Sequence, residues 1–383
     1  MKIIIAPDSF KGCMNSAQVC SAVEEGILRA KKDVTIIKIP LADGGEGTAR
    51  AITLAAGGRF IKTNVTDPLG RKIEAVFGLI ENDKTAVLDI AGACGLELLD
   101  RNELNPMKAS SYGAGELITA ALNTGVNELI IGIGGSAVND GGIGMLSALG
   151  FKFLDCHGNP VGFGGEALSK IASIDCNGAV SLADNRLKKT SIKVACDVTN
   201  PLTGINGASA IFGPQKGATE EMVKVLDDGL VKLTDAFIKA GLTESTDKPG
   251  DGAAGGIGAA LRICAGAKME SGAMLVMKYA GFFNHLCGAD LIITGEGMTD
   301  DQTASGKLCS VVAAEAKKAG VSAALLSGAL SGEKEKLFSI FDYAVSIACG
   351  ETGLEAMIKN SRQNLIFAAE NLIRAIELGK GMG

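Results

Sequence analysis

Residues 1–58 read MKIIIAPDSFKGCMNSAQVCSAVEEGILRAKKDVTIIKIPLADGGEGTARAITLAAGG, and the order of their apolar runs decides the fold class. Residues 3–6 are a short β-branched run closed by Pro7-Asp8, the pattern of a buried strand that runs into a loop. Asn15 or Ser16 can cap a helix that places Val19, Val23 and Ile27 on one face. Residues 34–39 make a second buried strand, stopped by Pro40. The loop Asp43-Gly44-Gly45-Glu46-Gly47 follows, then a helix to about Ala56, ended by Gly57-Gly58. Strand, helix, strand, helix at this spacing implies a parallel sheet.

Beyond residue 58 the rhythm changes. Residues 59–65 and 71–79 flank Asp67-Pro68-Leu69-Gly70, which suits a type I turn, so a hairpin is expected. An antiparallel element in a parallel rhythm marks a candidate domain boundary near residue 58. Further strands are expected at 85–90, 128–133 and 151–154, with helices at 115–122 and 141–149. Residues 219–240 are strongly amphipathic, and Thr219 with Glu220 and Glu221 makes a good helix start. Residues 243–252 are the most loop-like stretch. Strand signals return at 290–294, 323–326 and 343–348, in the rhythm of the first sixty residues. The pattern therefore predicts a discontinuous domain. Residues 1–58 and 286–383 form one parallel α/β unit, and 59–285 are inserted.

Composition narrows the classes. At about 150 residues per domain, 383 residues suggest two or three domains. Glycine is the unusual count, 52 against only 8 prolines, in a chain that is 47% hydrophobic and 21% charged. That excludes collagen-like and disordered chains, so the glycines belong in tight loops. A net charge of −6 without a basic block argues against nucleic acid and anionic membrane as partners. None of the 10 cysteines forms a CxxC pair, and His157 and His285 are the only histidines, so a Cys/His zinc site is not expected. The opening apolar run is too short for a secretory h-region, and no stretch approaches the ~20 apolar residues of a membrane helix. A reduced, cytoplasmic protein with free, mostly buried thiols is expected.

The strongest local chemical signal is the segment 132–144, GIGGSAVNDGGIG, between an apolar strand and a helix. Such a loop offers backbone N–H groups and a helix start to an anion. Gly132-x-Gly134-x-x-Ala137 with Asp155 further on also meets a loose dinucleotide fingerprint, so an NAD-dependent 2-hydroxy acid oxidoreductase is the alternative reading. The polar Ser136, Asn139 and Asp140 suit a polar substrate or phosphate better. No Walker A, protein-kinase set or GxSxG elbow is present, and the two histidines sit in no triad context. Asp8, Asp43, Asp197 and Glu296 each stand just past an apolar strand. Strand carboxyl ends line the ligand crevice of open parallel sheets, so these acids suggest a cleft that holds a cation or takes a proton. Lys11 and Lys216 stand beside such loops and could pair with phosphate or a carboxylate.

Taken together these segments resemble the class I glycerate kinases. The shared blocks run in order: APDSFKG at 6–12, ADGGEGT at 42–48, VTDPLG at 65–70, GIGGSAVNDGG at 132–142, CDVTNPLTG at 196–204, FGPQKGA at 212–218, GAAGGIGA at 252–259 and TGEGMTDDQT at 294–303. The resemblance implies two unequal α/β domains, one a Rossmann-like parallel sheet built from both chain ends. The other is inserted and carries the GIGGS and CDVTNP loops, with the active site in the cleft between them. It implies ATP-dependent phosphorylation of D-glycerate with Mg²⁺, giving 2-phospho-D-glycerate and ADP, and leaves room for a homo-oligomer. On that footing Asp197 is expected to accept the hydroxyl proton, with Asp8 and Asp43 as competitors. Lys11 would neutralise the glycerate carboxylate or the moving phosphoryl group. Gly134, Gly135, Ser136, Asn139, Asp140, Asn200, Lys216, Gln302 and Lys307 would contact substrate or phosphate, and Glu296 and Asp300 would hold Mg²⁺. Two positions depart from the family pattern: Met298 stands where GEGR has its arginine, and Val138 where threonine is usual. If that arginine touched phosphate, its loss would weaken nucleotide binding or shift the contact to Lys307 or Lys11.

Overall fold

The computed structural model describes every residue except 11, 42–46, 178–185, 301–307, 332, 351–352 and 382–383, and only the backbone of Lys188 and Lys334. It divides into two compact units, Met1–Asp43 with Ala273–Gly383, and Gly44–Gly272. Strands and longer helices are numbered along the chain.

The first unit holds β1 (Lys2–Ile5), β2 (Thr35–Lys38), β11 (Leu291–Thr299), β12 (Ser322–Leu330) and β13 (Tyr343–Ser346). They form one parallel sheet in the order β13-β12-β11-β1-β2. Ile3, Ile4 and Ile5 are completely buried, as the continuous apolar run requires of a strand covered on both faces. Helix α1 (Ser16–Ala30) starts at Asn15, whose Oδ1 accepts from Gln18 N at 2.9 Å while Gln18 Oε1 accepts from Asn15 N at 3.0 Å. This reciprocal cap satisfies two otherwise orphaned donors. Val19, Val23 and Ile27 turn inward from α1 and share a core with Leu365, Ile366 and Ile373 of α9 (Leu354–Lys380). Gly26 makes the approach possible: a Cβ there would lie 2.3 Å from Ile366 O.

The second unit holds β3 (Arg59–Thr66), β4 (Lys72–Ile80), β5 (Thr85–Asp89), β6 (Glu128–Gly132), β9 (Ser191–Ala195) and β10 (Lys268–Glu270) in one sheet of order β10-β9-β6-β5-β4-β3. The pairs from β10 to β5 are parallel, and the β5–β4 and β4–β3 pairs are antiparallel. The hairpin expected at 59–79 is present. In its turn Gly70 N donates to Asp67 O at 3.0 Å, and Asp67 Oδ1 accepts from the Leu69 and Arg71 amides. Helices α2 (Thr48–Ala55), α3 (Tyr112–Asn123), α4 (Ile143–Ala148), α5 (Glu220–Lys239), α6 (Ile257–Ala265) and α7 (Gly272–Tyr279) follow in chain order, and the division between units falls after the first residue of α7. Helix α5 is the amphipathic segment read from sequence, capped by Thr219 as expected.

Two elements differ from the sequence reading, and so do the unit bounds, which fall after Asp43 and Gly272 rather than near 58 and 285, so that α2 belongs to the second unit. The strand expected at 151–154 forms as β7 (Lys152–Leu154), but it pairs only with β8 (Ser173–Asp175) in a separate two-stranded ribbon. A run of alternating apolar residues specifies a strand and not the sheet it joins. The second is α9, to which the sequence reading assigns nothing, although it packs along α1. Among the described residues no helix is long and apolar enough to cross a membrane.

Candidate functional site

In the first unit the chain leaves β1 toward β2 on one side, while β11 leads through α8 (Leu308–Lys318) to β12 and β13 on the other. The strand order therefore reverses between β1 and β11. Open α/β sheets bind ligands outside the carboxyl ends of the strands at such a switch point. Two acids stand there. Asp8 follows β1, held by Asp8 N donating to Gly295 O at 2.8 Å, and its Oδ1 accepts from Ser9 N at 2.6 Å. Glu296 lies on β11, with Thr299 Oγ1 at 2.9 Å from its Oε1. Each is 9% exposed. Beneath them the thiol of Cys309 is pushed far above its ordinary value, first by burial, then by the negative charge of Glu296, with Asp8 adding to it.

A cavity of about 480 Å³ opens beside both acids and is also lined by the half-buried Asp300. The structure thus brings together Asp8, Glu296 and Asp300, three of the acids singled out from sequence. Met298 lines the same cavity, at the position of the family's arginine, so no cation enters from that residue. Lys11, Asp43, Gln302 and Lys307 lie outside the described residues.

In the second unit the glycine loop after β6 is built over a buried lysine. Lys216 is 1% exposed, and its Nζ donates to Val138 O at 2.6 Å and Ser136 Oγ at 3.1 Å. Burial lowers its pKa to about 8, against the opposing pull of Cys94 and Asp140. Asp140 is fully buried and takes four donated hydrogen bonds: Ser111 N and Ser111 Oγ at 2.8 Å, Gly144 N at 3.3 Å, and Gly142 N on the other oxygen at 3.0 Å. Burial pushes its carboxyl upward, yet every partner is a donor, which is the surrounding of a carboxylate. Its oxygens start α4 and fasten that helix to the head of α3. Asn139 is also fully buried. Its Nδ2 donates to Ser209 Oγ at 3.0 Å, and its Oδ1 has no partner. Gly134 and the left-handed Gly135 form the exposed tip, where Leu96 N donates to Gly135 O. The loop's polar side chains thus point into the protein, and of its glycines only the exposed Gly135 and the half-buried Gly134 reach the surface.

Asp197 follows β9 and is exposed. Its Oδ1 accepts from Ser271 Oγ and from Gly272 N, both at 2.9 Å, so it caps α7. Asn200 is half-buried, with its Nδ2 on Asn206 O and its own carbonyl accepting from Gly252 N.

The dinucleotide fingerprint read on 132–155 loses its acid. Asp155 sits past β7, outside the parallel sheet, and its Oδ1 accepts from the amides of His157 and Asn159 in its own turn. A ribose-binding acid would end the strand next to β6, and that strand is β5 or β9.

One acid was missed. Asp89 ends β5 opposite Gly132, and its carboxylate accepts from Gly47 N and Ala49 N at 3.1 Å, capping α2 beside the 42–47 block. The sign that found Asp8 and Glu296, an acid closing an apolar run, is present at Asp89 too. Reading the strand through residue 90 hid it.

A family model described as the glycerate kinase family matches residues 3–377. A glycerate kinase of Haemophilus influenzae is 42% identical over 377 residues, covering 98% of this chain and 99% of the relative. A glycerate 2-kinase of Escherichia coli K12 is 41% identical over 384 residues, covering 99% of both. A crystal structure from Salmonella typhimurium LT2 superposes with a TM-score of 0.87 at 42% identity, over 100% of this chain and 99% of that one.

Proposed function

The chain belongs to the glycerate kinase family, and from that premise we propose that it transfers the terminal phosphoryl group of ATP to the 2-hydroxyl of D-glycerate. One observation carries the site: Asp8 and Glu296, both nearly buried, flank the switch point of a parallel sheet and open on one cavity.

Phosphoryl transfer asks the protein for positioning and charge neutralisation more than for covalent chemistry. Glu296 and Asp300 offer hard oxygen ligands on one cavity wall. Among the described residues no three His, Cys, Asp or Glu side chains gather closely enough to cage a metal. That fits Mg²⁺, which keeps its waters and needs one or two carboxylates plus substrate phosphates. When bound, Mg²⁺ would neutralise charge on the phosphate oxygens.

Asp197 is the proposed acceptor of the glycerate hydroxyl proton. Its hold on Ser271 and Gly272 fixes the orientation of the carboxylate. Asp8 is the competitor. The backbone of the exposed Gly135 and the half-buried Gly134 would bind substrate or phosphate oxygens, with Asn200 a further candidate in the same unit. Lys216 fastens the loop at Ser136 and Val138, Asn139 reaches Ser209, and Asp140 anchors the loop's far end at Gly142 and Gly144. Lys11, Asp43, Gln302 and Lys307 belong to the same reading as sequence-level candidates. The ten thiols are all free, though only Cys20, Cys94 and Cys309 are buried where most were expected to be, and free thiols suit a reducing cytoplasm.

A coupled assay of ADP release on adding D-glycerate tests the reading, with ATP and Mg²⁺ present. Phosphorus NMR of the product should show 2-phosphoglycerate. No ADP above background would refute the kinase, and 3-phosphoglycerate would refute the assigned hydroxyl.

A further inference from the structure

The cavity of the first unit is two-faced. Its acidic end holds Asp8, Glu296 and Asp300. Its lining also takes in Leu354, Met357 and Ile358 from the start of α9, together with Ile347 and the buried Phe10. Leu354 is 73% and Ile358 41% exposed. Large apolar side chains left open on a cavity wall mark a place for an apolar ligand surface.

The two substrates differ in what they can offer such a wall. D-glycerate carries one carboxylate and hydroxyls and has no apolar face. It is also far smaller than about 480 Å³. The triphosphate of ATP is a polyanion, and among the described lining residues there is no lysine, arginine or histidine to meet it. A nucleoside is neutral, flat and largely apolar, with polar edges. Asn364, on the next turns of α9, also lines the cavity. Its amide offers a donor and an acceptor side by side, the pair that an adenine edge complements.

We propose that this cavity is the seat of the donor's nucleoside, with the base against Leu354, Met357 and Ile358, and the phosphates leaving toward Asp8, Glu296 and Asp300 through a bound divalent cation. The assignment rests on the kinase reading for the identity of the nucleotide. It adds that α9, the last helix of the chain, is the base-binding element, and that glycerate binds elsewhere.

Cys13 gives a direct reporter. Its thiol lines the cavity, beside Ser361 Oγ and Ile358 O of α9. The protein is treated with N-ethylmaleimide, and each cysteine peptide is followed by mass spectrometry. MgADP, and adenosine at higher concentration, should slow alkylation of Cys13 while leaving the exposed Cys156, Cys287 and Cys349 unaffected. D-glycerate alone should not protect it. Ile358→Glu, and separately Leu354→Ser, are then made on the exposed wall, where the fold does not depend on them. A buried charge against the base should weaken ADP binding in calorimetry by at least about tenfold for Ile358→Glu, less for Leu354→Ser, with the KM for glycerate unchanged. Protection by glycerate and not by ADP would overturn the assignment, as would ADP binding unchanged in both variants. The ADP-release assay is read independently. A chain without glycerate turnover whose Cys13 is still protected by ADP loses the kinase reading and keeps this site. A working kinase whose Cys13 is indifferent to ADP keeps the function and loses the site.

Discussion

The Oδ1 of Asp197 accepts from Ser271 Oγ and Gly272 N, so the proposed base also starts a helix. Substitution can separate the two roles. Asparagine keeps an acceptor oxygen for the cap and loses the basicity. Asp197→Asn should therefore lower kcat by roughly 10²–10⁴-fold, the usual worth of a positioned general base, with its thermal midpoint nearly unchanged. Asp197→Ala should lose the same activity and about 1 kcal/mol of stability besides, the usual cost of an emptied cap. An Asp197→Asn enzyme with wild-type kcat would move the base to Asp8. Lys216 makes a pH argument. Its pKa falls from 10.5 to about 8 on folding, because burial disfavours the ammonium. Between those values the unfolded chain binds more protons than the folded one, so this group's contribution to stability rises with pH across that window. Below about pH 8 the lysine is charged in both states, and the full desolvation cost stands. Urea unfolding of wild type and Lys216→Met should diverge accordingly. Wild type gains on the variant as pH climbs from about 8 to 10.5, by at most about 3 kcal/mol. A constant difference across that window would show that Lys216 does not titrate there.

At the scale of elements, α2 shows how a strand end starts a helix from across a sheet. Its first cap residue, Gly47, has no side chain to offer, and Asp89 at the end of β5 accepts from the amides of Gly47 and Ala49 instead. Gly132 faces Asp89 in register, and a Cβ there would stand 2.3 Å from Asp89 Oδ1. Asp89→Ala should cost about 1–2 kcal/mol by emptying the cap. Gly132→Ala should cost a similar amount by displacing the same carboxylate. Because both act on one contact, the double variant should fall well short of their sum in a chemical-denaturation cycle. Strict additivity would separate Gly132 from the cap. The same region shows what local sequence could tell. The apolar runs at 3–6 and 128–133 became strands buried on both faces, whereas 34–39, expected to be buried, became the edge strand β2 with Thr35 and Lys38 exposed. The Asp67-Pro68-Leu69-Gly70 turn was legible because its chemistry is local. Asp89 carries the same local sign as Asp8 and Glu296, but the apolar Ile90 after it makes the strand read one residue too long, and only the pairing with Gly132 shows where it stops. The buried partners of the glycine loop were not legible: Ser136, Asn139 and Asp140 read as polar loop residues, and nothing local says that Lys216, far along the chain, lies beneath them.

At the scale of the whole molecule, the decisive fact is the order of strands, which is non-local. β1 pairs with β11 across most of the chain's length, and that pairing makes the switch point. The return of strand rhythm at 290–348 hinted at one sheet from both chain ends, but the reversal between β1 and β11, and with it the choice of Asp8 and Glu296 over other acids, needs the register itself. The two units also have separate cores: one drawn from residues at 3–27 and 291–373, the other from 65–267. Every residue that lines the proposed nucleoside cavity belongs to the first. A ligand that binds only the folded form stabilises it by about 2.7 kcal/mol at a hundredfold excess over Kd. Hydrogen exchange of the full chain with MgADP, and without glycerate, should therefore slow most in β1, β11 and β12 and in the first turns of α9. The amides of β5, β6 and β9 should change least, since their protection arises from the other core. Glycerate alone should leave the α9 amides as they were. Slowing centred on β6 and the glycine loop would instead seat the nucleotide on the backbone of Gly134 and Gly135, and the apolar wall of α9 would lose its assigned ligand.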